Sequence, residues 1–391
     1  MAKKMLFLFV LLLSLTGMLK AQVTTAGMSG KVMADEESVI GATVVAVHEP
    51  SGTSYGTVTN VDGRFSLQGM RSGGPYKVTV SYIGYQTAIY TGIQLQLGET
   101  YSLNVTLHEA SELLGEITIT ASKSKFSAEK TGATTNISSE QLTTLPSINR
   151  SISDFTRISP YASGNSFGGR DGRSNTFTVD GANLNNNFGL SSGLPGGGNP
   201  ISLDAIDEVQ VVIAPYDVRQ ANFIGAGINA ITKSGTNAYR GSAYMYFNNE
   251  VMRGNKIGDT DFGARAEESK TVYGATFGGP IIKDKLFFFA NVEYEKSPQQ
   301  VITWRAAKEG ETPNNSTISR TTEADLAEFS QILKGKYGYN TGSFTDFPAD
   351  VTNLKLLGRI DWNINQGNKL SVRYNFTNCL LYTSPSPRDK R

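Results

Sequence analysis

The chain has 391 residues and a formal net charge of +1, so no overall field directs it to nucleic acid or acidic lipid. A single cysteine, Cys379, and two histidines far apart in sequence, His48 and His108, exclude a disulfide framework and a Cys/His zinc site, and no cofactor is expected. Glycine is abundant at 41 residues and aromatics reach 10%, a mixture that suits short strands and tight turns better than helical packing.

Residues 1–21 read as an export signal: Lys3 and Lys4 precede an apolar run over 5–15, and Ala21 supplies a small residue at the cleavage edge. Leu19 fits the cleavage pattern poorly, so the cut itself is not fixed. The run is too short to cross a bilayer as a helix, and no later stretch approaches about 18 apolar residues. A membrane location would therefore have to be reached with strands.

Residues 22–109 carry short β segments at 28–33, 39–47, 57–59, 64–67 and 76–82. Asn60-Val61-Asp62-Gly63 ends in a hairpin signal. Val78 and Val80 alternate with Lys77, Thr79 and Ser81, which places the valines on one face. Turns at this spacing predict a β-sandwich. Gly30-Lys31-Val32, Gly41-Ala42-Thr43-Val44, Thr59-Asn60-Val61-Asp62-Gly63-Arg64-Phe65 and Tyr82-Ile83-Gly84-Tyr85 resemble the carboxypeptidase-regulatory-like domain. That domain is an accessory, and His48-Glu49 and His108-Glu109 lack metal-ligand spacing. Both histidines read as surface strand residues.

In residues 110–129, Ile117 and Ile119 alternate with Thr118 and Thr120, and no hairpin partner is close in sequence. Such a strand either ends the sandwich or adds to the sheet edge of another protein. Glu116-Ile117-Thr118-Ile119-Thr120-Ala121 is similar to the TonB box, which implies the energy-coupling protein TonB as a partner for these six residues.

Residues 130–236 predict a small α+β domain. Helices are expected at 138–142 and 149–158, stopped by Pro146 and Pro160, with strands at 176–179, 208–213 and 228–232. Gly168-Gly169-Arg170 through Thr178-Val179-Asp180-Gly181, Ile201 through Val211, and Gly225 through Asn237 resemble the plug of TonB-dependent receptors, nearest the Oar-like branch related to SusC. Asp180-Gly181 reads as a turn. Arg170 and Arg173 either touch substrate or, the favoured reading, form buried ion pairs with a barrel wall. Asn183, Asn185 and Phe188 are further candidates for substrate contact.

Residues 237–378 alternate. Leu354, Leu356, Ile360, Trp362 and Ile364 share one face, Lys355, Arg359, Asp361 and Asn363 the other. Leu370, Val372, Tyr374 and Phe376 oppose Lys369, Ser371, Arg373, Asn375 and Thr377, and 286–294 repeat the pattern. Connections run long, short, long, short, the habit of outer-membrane barrels. Leu326, Phe329, Ile332 and Leu333 predict a helix packed on the longest loop. About five strands cannot close around a plug, and the family resemblance implies about 22, so the barrel reads as incomplete. Residues 379–391, with two prolines, read as a non-native tail.

The expectation is a mainly β chain: an N-terminal β-sandwich, a small α+β plug domain and the first strands of a transmembrane antiparallel β-barrel. The resemblance implies a non-enzymatic outer-membrane receptor for TonB-coupled uptake of an oligosaccharide, peptide or chelate. Its partners would be TonB, outer-membrane lipid, the nutrient and a surface lipoprotein, but no nucleic acid. A secreted β-domain adhesin is the alternative.

Overall fold

The computed structural model describes residues 23–34, 37–109, 117–120, 133–147, 150–185, 194, 199–215, 217, 220–254, 256–261, 269–300, 305–313, 318–342 and 348–381. The expected export signal and residues 382–391 lie outside them. The chain divides into two compact units. One is Met1–Arg240 with Phe277–Ala290 and Leu357–Tyr374; the other is Gly241–Thr276 with Asn291–Leu356 and Asn375–Arg391.

The first unit begins with β1 (Ala26–Ala34), β2 (Glu37–Ser38), β3 (Thr43–His48), β4 (Thr53–Val58), β5 (Arg64–Met70), β6 (Gly73–Ser81), β7 (Ala88–Leu95), β8 (Thr100–Ser102), β9 (Val105–Leu107) and β10 (Ile117–Thr120). They form two five-stranded sheets. In one, β1 lies between β2 and β5 and also pairs in parallel with β8 and β9; the other has the order β10-β7-β6-β3-β4. Met28, Val32, Phe65, Leu67, Val44, Val78, Val80, Ile93 and Leu107 fill the core. The expected inward valines of β6 are there, as the period of two requires.

The expected strand at 39–47 begins only at Thr43. Gly41 adopts φ +77°, and the Thr59 hydroxyl binds Val39 O (2.7 Å) and receives Ala42 N–H (2.9 Å), so the chain turns before it extends. His48 also departs from expectation. It continues the inward series Val44, Ala46, is 5% exposed, lies 5.0 Å from the Tyr76 ring, and its Nδ1 is 2.7 Å from Ser51 Oγ. Burial and the nearby Arg71 cation hold its pKa down to about 3, so the ring is neutral. His108 is exposed as expected.

Next come β11 (Ala133–Ile137), α1 (Ser139–Thr144), α2 (Ile152–Thr156), β12 (Ala162–Ser163), β13 (Ser166–Phe167), β14 (Thr176–Val179), β15 (Ala182–Asn183), β16 (Ile206–Ala214) and β17 (Gly227–Thr232). Ser138 with Gln141, and Ser151 with Asp154, form capping boxes that satisfy the N-terminal amides of α1 and α2. The sheet order is β11-β16-β17-β14-β15. Phe155, Phe167, Phe177, Val209, Val211, Ile228 and Ala230 make its core, joined by Phe289 and Leu357.

The remaining elements are β18 (Arg240–Asn249), β19 (Lys256–Ile257), β20 (Thr260–Asp261), β21 (Ser269–Ile282), β22 (Leu286–Gln300), β23 (Arg305–Ala307), β24 (Ile318–Thr322), α3 (Glu323–Tyr337), β25 (Pro348–Asn363) and β26 (Lys369–Leu381). Strands β18, β21, β22, β25 and β26 lie side by side in chain order. The alternation is inside-out for a water-soluble sheet. Asn353, Lys355, Leu357, Arg359 and Asp361 are buried, whereas Ile360, Trp362, Val372 and Tyr374 are exposed. β26 runs to Leu381 and so corrects the expected boundary at 378. Leu380 continues the outward positions of Tyr374 and Phe376, and strand pairing outlasts the break expected at Cys379.

Within the second unit, Lys355 is 1% exposed, with its ammonium 2.8 Å from Glu293 Oε1 and 3.3 Å from Glu295 Oε2. Lys270 is 2.7 Å from Glu295, and Tyr244 donates to Glu293 at 2.8 Å. Helix α3 packs on β23 and β24, with Leu326 and Leu333 half-buried; Phe329 and Ile332 are exposed, so only part of the expected stripe is covered. Among the described residues no helix is long and apolar enough to cross a membrane.

The Asn60–Gly63 turn tests the sandwich. Gly63 has φ +70°, and a Cβ there would lie 2.7 Å from Val32 O, whose own N–H donates to Gly63 O. Gly63→Ala is expected to destabilise the chain by about 1–3 kcal/mol, read as a lowered Tm in detergent.

Candidate functional site

Asp180 ends β14 in a turn with φ +49°, followed by Gly181 at +83°. The turn brings its carboxylate back over β17. Oδ1 accepts Thr232 N–H at 3.0 Å and Oδ2 accepts the Thr232 hydroxyl at 2.6 Å. From β25, Arg359 Nη1 donates to Thr232 O and to its hydroxyl (3.2 Å), and lies 3.9 Å from Asp180 Oδ1. The rest of the Arg359 guanidinium grips Asp361 at 2.8 and 3.1 Å. From β26, Arg373 lies 3.4 Å from Asp180 and Ser371 donates to Asp361 at 2.5 Å. Arg71 of the sandwich approaches Asp361 at 3.7 Å. Strands β14, β17, β25 and β26 and the sandwich thus meet in one buried ion cluster. It holds no cysteine and no histidine, and no metal-holding group of His, Cys, Asp and Glu occurs among the described residues. Its chemistry is that of an ionic lock: cheap to keep when complete, expensive when one partner is removed.

A second junction joins the sandwich to the mixed sheet. Leu97 is fully buried. Its N–H donates to both carboxyl oxygens of Glu208 (3.1 Å each), and Gln210 Nε2 donates to Leu97 O. Asn136 Nδ2 donates to Gln96 (3.2 Å) and Glu99 (3.0 Å). Burial pushes the Glu208 carboxyl up to about 8, against the opposing effect of the Leu97 amide. Further contacts run from Asn363 Nδ2 to Thr53 (2.9 Å) and from Lys369 Nζ to the Tyr55 ring, 3.2 Å from its centroid.

Residues 27–108 match the carboxypeptidase regulatory-like domain family, and residues 231–387 match the outer membrane beta barrel domain family. Over 340 residues the chain is 25% identical to the TonB-dependent transporter Oar of Myxococcus xanthus, an alignment covering 82% of this chain and 30% of that protein. The chain is a homologue of TonB-dependent outer-membrane receptors. Its place is the Gram-negative outer membrane. Similar solved structures include the siderophore receptor PirA of Acinetobacter baumannii, at 18% identity and TM-score 0.42, covering 64% of this chain and 32% of that one. The Q482A mutant of the ferric enterobactin receptor PfeA of Pseudomonas aeruginosa, in complex with enterobactin, aligns at 15% identity and TM-score 0.42, covering 64% of this chain and 34% of that one.

In this receptor homologue the expected site residues divide. Arg170 and Arg173 are exposed, and among the described residues Arg173 pairs with its neighbour Asp171 at 2.9 Å. Its hydrogen bonds hold the Asp171 carboxyl below the usual range. The arginines that reach Asp180 are Arg359, which is buried, and Arg373, which is half-buried. Asn185 Oδ1 receives Phe177 N–H at 2.6 Å and Asn183 Oδ1 receives Asn185 N–H at 2.7 Å, so both side chains shape their own loop. Phe188, Glu116 and Ala121 lie outside the described residues. Ile117–Thr120 form β10, which pairs in parallel with β7. The strand thus ends a sandwich sheet, one of the two arrangements expected of it, on a partner distant in sequence. The Asp180 turn was legible from Asp180-Gly181; the ion cluster around it was not.

Arg359→Met is expected to lower stability by roughly 3–5 kcal/mol, because Asp180 and Asp361 lose their shared cation while staying buried. Arg173→Ala should leave Tm unchanged; comparing the two melting curves checks both.

Glu208 gives a pH signature. Below its ordinary value of 4.5 it is protonated folded or unfolded; between 4.5 and about 8 the unfolded chain releases a proton that the folded chain keeps. This disfavours folding increasingly up to about 8. The stability advantage of Glu208→Gln should therefore rise across that window, by at most about 1.4 kcal/mol per pH unit, and level off outside it. Paired denaturation curves at several pH values check the slope.

Proposed function

We propose that this chain supplies the gate of a TonB-dependent receptor that takes up an oligosaccharide, peptide or metal chelate across the outer membrane. Residues 130–236 act as the plug, residues 237–381 contribute wall strands, residues 22–109 form a periplasmic sandwich after an export signal over 1–21, and residues 110–129 carry the segment that TonB grasps. The observation that supports this reading most is the ion cluster. Arg359, on the inward face of a strand whose outward face is apolar, is bound to Thr232 and Asp180 of a mixed sheet. A wall whose polar face holds a folded sheet through charges suits a blocked lumen. Charge-assisted bonds can be exchanged for water when the plug moves, so such a block is releasable.

The chain spans 30% of the length of the Oar relative, so transport is a property proposed for the whole receptor. No covalent step falls to the chain. Binding of the nutrient on the outer side and a pull on residues 116–121 from the periplasm would together loosen the plug.

Deleting residues 115–121 from the gene in its native host tests this. Labelled ferric siderophore, oligosaccharide and oligopeptide are offered to parent and variant cells. Uptake of whichever the parent accumulates should fall to the level of uncoupler-treated cells; unchanged energy-dependent uptake in the variant sinks the proposal.

A further inference from the structure

Strand β10 is at once bound and available. One edge lies on β7 in unbroken parallel register, Ile117 opposite Ala88, Thr118 opposite Ile89, Ile119 opposite Tyr90 and Thr120 opposite Thr91. Among the described residues no strand pairs with its other edge, which ends the sheet β10-β7-β6-β3-β4. Protein edge strands are usually blunted by lysine, proline or a bulge. Ile117-Thr118-Ile119-Thr120 has none of these; it is wholly β-branched and without a register shift. Such an edge accepts a further strand through main-chain hydrogen bonds.

The far end of β7 leads to the second junction. β7 closes at Leu95, and two residues later Leu97 is clasped through its N–H by Glu208 and through its carbonyl by Gln210, both on β16. Asn136 of β11 holds Gln96 and Glu99 on either side. The approach is close: Gly98 has φ +70°, and a Cβ there would stand 2.8 Å from the Gln210 amide nitrogen. A continuous path therefore runs from the open edge of β10 through β7 and the 96–99 loop into β16 and the edge strand β11 of the mixed sheet.

We propose that the coupling protein adds an extended strand to the open edge of β10 while β10 stays on β7. Its pull then reaches the plug sheet through the sandwich. This rests on the reading of residues 116–121 as the segment TonB grasps. On this view the sandwich is a force-bearing link: strain on β10 shears the β10–β7 ladder, loads the Leu97 loop and draws on Glu208 and Gln210. The competing arrangement is strand exchange, in which the partner strips β10 from β7 and the sandwich plays no part.

The two differ in what a covalent staple does. Neighbouring strands lie about 4.8 Å apart, within disulfide range. In a Cys379→Ser background, which removes the only native thiol, Ala88→Cys and Ile117→Cys should form a disulfide. Binding of the purified C-terminal domain of TonB to this chain is then measured oxidised and reduced, beside a free peptide spanning residues 113–123. Oxidised and reduced chains should bind within about threefold of each other. Loss of about tenfold or more on oxidation, with the reduced chain and the peptide still binding, keeps the coupling segment but overturns the sandwich path. Failure of the two cysteines to join also overturns it. If neither the chain nor the peptide binds, the coupling reading falls and takes the inference with it. Where binding survives oxidation, a Glu208→Ala/Gln210→Ala double variant should retain TonB binding yet lose most uptake in the native host; full uptake overturns the path.

Discussion

A charged side chain facing hydrocarbon is costly, about 2–4 kcal/mol for Arg or Lys at the bilayer midplane. That constraint organises everything downstream of residue 237. With Ile360, Trp362, Val372 and Tyr374 outward, strand geometry sends Lys355, Arg359, Asp361 and Arg373 inward, since successive side chains alternate. Inward charges then need partners. In the second unit they find one another, as Lys355 does with Glu293 and Glu295. In the first unit they find the backbone and carboxylate of a separately folded sheet. The lipid-facing pattern and the internal ion cluster are two results of one constraint.

The composition of that cluster matters for how the sheet is held. An apolar interface of the same area would hold by excluded water alone and would offer no specific geometry. Arg359 instead spends its fork on Asp361 and on Thr232 at once, and Asp180 answers with two bonds to the same threonine. Arrangements of this kind add little net stability over a packed hydrocarbon core, yet they penalise every misaligned seating of the sheet by leaving a buried charge bare. They favour one seating of the sheet while leaving each charge able to return to water.

Much of this was legible wherever the signal is local. The alternation in β25 and β26, the proline stops after the two short helices, and the Asn60–Gly63 turn each sit within a few residues of the structure they dictate. His48 was legible too, since it continues the inward series Val44, Ala46; its polarity obscured the period. What could not be read were meetings between distant residues. Nothing near Asp180 in sequence announces Arg359, and nothing near Ile117 announces Ala88. Parallel pairing is opaque in this way, because its partner lies across a long connection and no hairpin turn marks it. Arg173 and Arg359 differ in setting: each pairs with an aspartate two residues away, but Arg173 does so on an exposed turn, whereas Arg359 sits on the inward face of a strand and also reaches Thr232.

The sandwich follows the same logic at its other face. Several polar contacts join it to the mixed sheet and the strand ends: Leu97 on Glu208 and Gln210, Thr53 on Asn363, Arg71 on Asp361, and Lys369 over Tyr55. A domain tethered only by a linker would gain nothing from such matched groups. A domain fixed permanently would be expected to bury a large apolar seam. Matched polar contacts at several separate points fit a body that seats in one orientation. The neutral state that burial favours for Glu208 belongs to that design, because it leaves the Leu97 clasp hydrogen-bonded without committing a full charge to the interior.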